Sequence, residues 1–125
     1  MDATLQARCD AFLDGLLPQL RTAQAARAES GYWQGAPTPA NWPTRTVRRE
    51  PDLTACVLSH KESWADLGLK DLPAAWPCTA EVHTYDGPMG RGWLLVATVR
   101  DGTEAYRRIL NEGPETAMAR DWTAF

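Results

Sequence analysis

Residues 78–110 constrain the fold more than any other part of this 125-residue chain. They read CTAEVHTYD, GPMGRG, WLLVATVR, DG and TEAYRRIL in succession. Three strand-like runs are thus separated by a glycine-rich loop and a tight turn. Asp101-Gly102 suits a two-residue hairpin turn, which needs backbone φ above zero. A consecutive antiparallel meander follows. In its middle run, Trp93, Leu95, Ala97 and Val99 alternate with Leu94, Val96, Thr98 and Arg100. Both sets are largely apolar, so this strand is expected to be central and covered on both faces. The runs beside it alternate more weakly, as flanking strands do. One sets Ala80, Val82 and Thr84 against Glu81, His83 and Tyr85; the other sets Ala105, Arg107 and Ile109 against Tyr106, Arg108 and Leu110.

Residues 2–29 read as a helix. Leu5, Cys9, Phe12, Leu16, Leu20 and Ala23 recur at helical spacing, and Leu13 and Leu17 widen the stripe. Asp2 suits the N-cap, and Gly31 lies where a helix ends. Pro18 interrupts the interior, where proline removes a hydrogen bond and disfavours helix at the residue before it. The apolar stripe continues past it, which favours one kinked helix over two short ones.

Between helix and meander, residues 31–77 read as an ordered coil rich in proline and tryptophan. Prolines at 37, 39, 43 and 51 argue against long regular elements. Tyr32, Trp33 and Trp42 argue against a bare linker. Thr54–His60 is expected as a short strand, and Ser63–Leu69 as one helical turn with Ser63 as its cap and Asp66 at its third position. Residues 115–120 suit a helical turn, and 121–125 an edge strand or a loosely packed tail. The expected fold is α+β and one domain: a kinked helix over 1–30, the coil over 31–77, and a three- to four-stranded antiparallel meander with a C-terminal tail over 78–125.

Composition excludes several functions. A net charge of −3 disfavours a general nucleic-acid binder, and the basic cluster Arg45–Arg49 reads as a solvated loop. No apolar run approaches the roughly 18 residues of a membrane span. The polar start DATLQARCD lacks the features of a signal peptide. A virion or cytoplasmic location is expected, or an extracellular filament if the chain is processed. Three cysteines, Cys9, Cys56 and Cys78, are too few for a disulfide scaffold, and their odd number leaves at least one thiol unpaired.

Cys56-x3-His60 and Cys78-x4-His83 offer two sulfurs and two imidazoles, the donor set of a tetrahedral zinc site. The spacing matches no established finger. In a regular strand, Cys78 and His83 also point to opposite faces. A Cys56–Cys78 disulfide would need an oxidising setting, and buried free thiols are the simpler reading. No metal or cofactor is therefore expected. The chain has no G-x-S-x-G elbow, phosphate-binding loop or dinucleotide fingerprint. Gly87, Gly90 and Gly92 lie between strands and read as turn geometry. His60, Glu62 and Asp66 are the acid–base candidates on the chain, and a small hydrolase-like enzyme would need a pocket around His60, Glu62 and His83.

Six tryptophans stand at 33, 42, 64, 76, 93 and 122. Their large apolar area suits stapling of coil onto sheet, a protein interface, or a platform for glycans. Trp33, Trp42 and Trp64 are the interface candidates among them. On the helix the candidates are Leu5, Phe12, Leu13, Leu16, Leu17 and Leu20, whose spacing is close to a heptad.

A long helix carrying a proline, then coil, then an antiparallel meander resembles the layout of type IV pilins and pseudopilins. AQAARAESGYW (23–33) is similar to the helix end of that group, although the apolar, Phe-initiated pilin N-terminus is missing. ESWADLGL (62–69), YDGPMGRGW (85–93), NEGPE (111–115) and RDW (120–122) are similar to small uncharacterised phage and prophage structural proteins. These resemblances imply an assembly context. The expected function is a non-enzymatic structural or accessory subunit of a larger assembly, a phage virion or filament, whose partners are copies of itself or neighbouring structural proteins. A carbohydrate-binding module is the alternative.

Overall fold

The computed structural model is described over residues 3–31, 38–49, 53–71, 78–113 and 119–121. Helix α1 (Ala3–Glu29) is followed by strands β1 (Thr44–Arg49), β2 (Leu53–Lys61), β3 (Cys78–Gly87), β4 (Gly90–Asp101), β5 (Glu104–Glu112) and β6 (Ala119–Asp121). The strands form a single sheet in the order β5-β4-β3-β2-β1-β6. The α+β class holds, and the sheet exceeds the three to four strands expected: β1–β5 are joined by the three-residue β6.

Pro18 sits inside one helix, not between two. Its missing N–H removes the bond to the Asp14 carbonyl. One turn away, the Thr22 hydroxyl donates to the Pro18 carbonyl at 3.0 Å. The helix closes where the sequence indicated: Ser30 N–H donates to the Ala26 and Arg27 carbonyls, and Gly31 N–H to that of Ala28. The proposed Asp2 cap lies outside the described residues.

The short strand expected over Thr54–His60 is present as β2, one residue longer at each end; β1 lies in what reads as coil, and the basic cluster Arg45–Arg49 is most of it rather than a loop. The prolines explain why β1 does not show in the sequence. Pro43 stands immediately before β1, where its missing N–H breaks no ladder bond, and its carbonyl accepts from Ser59 N–H at 2.9 Å. Register runs from Thr44↔Leu58 to Arg49↔Leu53. The C-terminal strand β6 pairs with β1, Arg48 opposite Asp121 and Arg49 opposite Ala119, with a register shift between them. The edge strand expected over 121–125 therefore lies earlier, at 119–121; residues 114–118 and 122–125 lie outside the described residues.

Strand β4 is covered on both faces as expected: Trp93, Leu94, Leu95, Val96, Ala97 and Val99 are all buried. Strand β3 is not a flank. It lies between β2 and β4, and Val82, His83, Thr84 and Tyr85 are buried in succession. The loop expected over 87–92 shrinks to Pro88-Met89, with both strands extended to meet it. The second hairpin turns at Gly102-Thr103, one residue later than the sequence suggested, with Gly102 at φ +60°.

The chain, expected as one domain, divides into two compact units that interleave in sequence. Unit 1 takes Met1–Ala36, Ser63–Ala80 and Ala97–Arg108; unit 2 takes Pro37–Glu62, Glu81–Val96 and Ile109–Phe125. In unit 1, Cys9, Leu13, Leu16 and Leu20 of α1 are buried, as are Leu67, Ala80, Ala97 and Val99. Helix and strand are tied at the surface, where Arg108 bonds Asp10 at 3.0 Å and Asp14 at 3.2 Å.

The core of unit 2 is Val57, Tyr85, Leu94 and Val96, with Ile109 against it. The Tyr85 hydroxyl donates to Asn111 Oδ1 at 2.9 Å. Gly92 and Gly113 make room for that ring. A Cβ on Gly92 would meet the Tyr85 hydroxyl and stand 2.8 Å from the Gly113 Cα; one on Gly113 would meet the same hydroxyl and stand 2.7 Å from the Gly92 Cα. Gly92 is thus a close-approach glycine, not the turn residue its neighbours suggested.

Candidate functional site

The interface candidates separate by burial. Leu13 is 1 % exposed, Leu16 7 % and Leu20 0 %. Leu13 and Leu20 are core residues of unit 1, which corrects their reading as docking residues: side chains covered by their own chain offer no surface to another. Leu5, Phe12 and Leu17 are half-buried. On the helix, Leu5 and Phe12 share the flank that carries Gln19, Ala23 and Ala26, whereas Leu17 falls on the other flank, nearer Asp10. Trp42 and Trp64 are half-buried. Trp33, Trp76 and Trp122 lie outside the described residues, as does Tyr32.

A groove runs along the first of these flanks, wholly within unit 1. At its N-terminal end, Phe12, Leu16 and Gln19 face the segment 68–71 across an opening of about 480 Å³. At its C-terminal end, Ala23, Ala26 and Arg27 face 66–68 across an opening of about 340 Å³. Gly68 borders both. The far wall is built as the sequence foretold. Ser63 Oγ accepts from Asp66 N–H at 3.0 Å. Gly68, at φ +70°, ends the turn: its N–H donates to Ala65 O at 2.9 Å and Leu69 N–H to Trp64 O at 2.8 Å, a Schellman closure. Leu67 is thereby buried, while Leu69 stays half-buried on the groove.

Unit 2 carries polar chemistry instead. Lys61 of β2 stands opposite His83 of β3, so the two share a sheet face. Lys61 Nζ lies 3.2 Å from Glu81 Oε1, and His83 Nε2 lies 3.0 Å from Glu81 Oε2. Burial lowers the His83 pKa, and Glu81 offsets this only in part. Neutral His83 then donates its Nε2–H to the carboxylate. Burial alone would raise Glu81, but the bonds from His83 and Lys61 outweigh it and leave its pKa lowered. Ser59, opposite Tyr85 on this face, is buried, and its hydroxyl has no hydrogen-bond partner.

The acid–base constellation does not form as expected. His60 stands opposite Thr84, so it lies on the face away from His83. Glu62 is on the same side as His60 and accepts from the Thr84 hydroxyl at 2.6 Å. The His60 ring stacks on Trp42, centroids 5.6 Å apart and planes at 18°. One indole face of Trp42 is therefore occupied. Nearby, the Thr38 hydroxyl bonds Asp86, and Arg91 bonds Thr38 at 2.9 Å. The zinc constellation does not assemble either: Cys9, Cys56 and Cys78 form no disulfide, with Cys56 exposed and Cys9 and Cys78 buried. Among the described residues no cluster of three His, Cys, Asp or Glu side chains could hold a metal, and no helix is long and apolar enough to cross a membrane.

Comparison of the chain with protein-family models, curated proteins and solved structures gives no match.

Proposed function

We propose that this protein is a structural or accessory subunit of a larger protein assembly, docking through the groove flank of α1. The observation that carries this reading is the groove itself. It consists of two openings that share Gly68, one bordered by Phe12, Leu16 and Leu69 with Lys70 and Asp71, the other by Ala23 and Ala26 with Arg27 and Asp66. An apolar floor with a charged rim is the anatomy of a protein interface. Burying the floor would contribute about 25 cal/mol per Å² of apolar area. A phage virion or a filament is the assembly its resemblances imply. Glycan binding is ranked second because His60 already covers one face of Trp42.

Native mass spectrometry tests the reading, on the purified chain alone and mixed with structural proteins encoded beside its gene. A complex is expected, and Ala26→Glu, on the exposed rim of the groove, abolishes it without loss of helix by circular dichroism. A chain that stays monomeric in every mixture refutes the reading.

A further inference from the structure

We draw no further inference here: the strongest candidate, the side-chain cluster of Ser59, Lys61, Glu81 and His83 on the shared face of β2 and β3, carries nothing, because Glu81 already binds Lys61 and His83 and nothing in the structure shows what covers the buried Ser59 hydroxyl beside them.

Discussion

The two units use their side chains in opposite ways. In unit 2 several polar side chains are drawn inward and bonded in pairs: Thr84 on Glu62, His83 on Glu81, Tyr85 on Asn111. Its apolar cluster is closed, with Tyr85 and Leu94 at 0 % exposure. In unit 1 the ion pairs of Arg108 and the charges of the groove rim lie at the surface, Gln24 being a buried polar exception, and part of the apolar strip on α1 stays open. That open strip beside surface charge is the observation on which the proposed docking rests.

The sharpest way to break this comparison is to place one charge on adjacent helix positions. Leu13→Asp buries a carboxylate at a site 1 % exposed and is expected to unfold unit 1, at a cost above about 4 kcal/mol. Phe12→Asp, on the groove, is expected to cost well below that and to abolish association. Urea unfolding followed by tryptophan fluorescence, with sedimentation of each variant, separates the two. Equal destabilisation would mean that the groove flank is core.

Gly92→Ala comes next. The new methyl cannot avoid the Gly113 backbone at 2.8 Å or the Tyr85 hydroxyl, so overpacking of about 1–3 kcal/mol is expected. Tyr85→Phe in the same chain should recover part of it by withdrawing the hydroxyl, although it gives up the bond to Asn111. Thermal melts of the single and double variants decide this. Additive losses would show that the tyrosine is not what Gly92 accommodates.

Acid is expected to act on unit 2. The folded-state pKa of His83 lies below its ordinary 6.5, so the unfolded chain takes up the proton more readily. Stability is therefore full above about pH 6.5 and falls as pH drops through the lowered value. Glu81, lowered from 4.5, adds a loss of the same sign further down. Melting temperature measured between about pH 5 and 8 should slope less steeply in His83→Gln than in the natural chain. An unchanged slope would show that His83 is not the group responsible.

What could be read in the sequence was what depends on neighbours. Periodicity placed α1 and β4, Ser63 announced its cap, and Pro18 its local break. What could not be read depends on distant partners. Gly92 lies among turn glycines in sequence, yet its reason is Gly113 and a tyrosine on another strand. Strand β3 looks like a flank because Glu81, His83 and Thr84 are polar; it is interior with these groups bonded, Glu81 to Lys61 on β2, His83 to Glu81 along the strand, and Thr84 to Glu62. Strand β1 is hidden by prolines that stop just short of it. On the helix, the buried set is Cys9, Leu13, Leu16, Leu20 and Gln24; all but Gln24 belong to the expected stripe, whose edges Leu5, Phe12, Leu17 and Ala23 are only half-buried. Phe12 is on the edge that borders the groove.

The smallest expected effect concerns the tie between α1 and β5. Burial pulls the Arg108 pKa down, but its bonds to Asp10 and Asp14 outweigh this and leave it raised above its ordinary value. A raised pKa stabilises below that value and is lost only as pH rises through it, so Arg108 contributes no pH dependence near neutrality. Exposure limits its worth: the Arg108 and Asp10 side chains are 27 % and 34 % exposed, and Asp14 is 65 %. Arg108→Ala is expected to cost below about 1 kcal/mol, less at high salt. A double-mutant cycle with Asp10→Asn measures the coupling. Because the pair lies on the flank of α1 away from the groove, the variant should leave association unchanged. A loss of association on breaking this tie would mean that the helix needs β5 to hold its groove open, and the two flanks of α1 would no longer be independent.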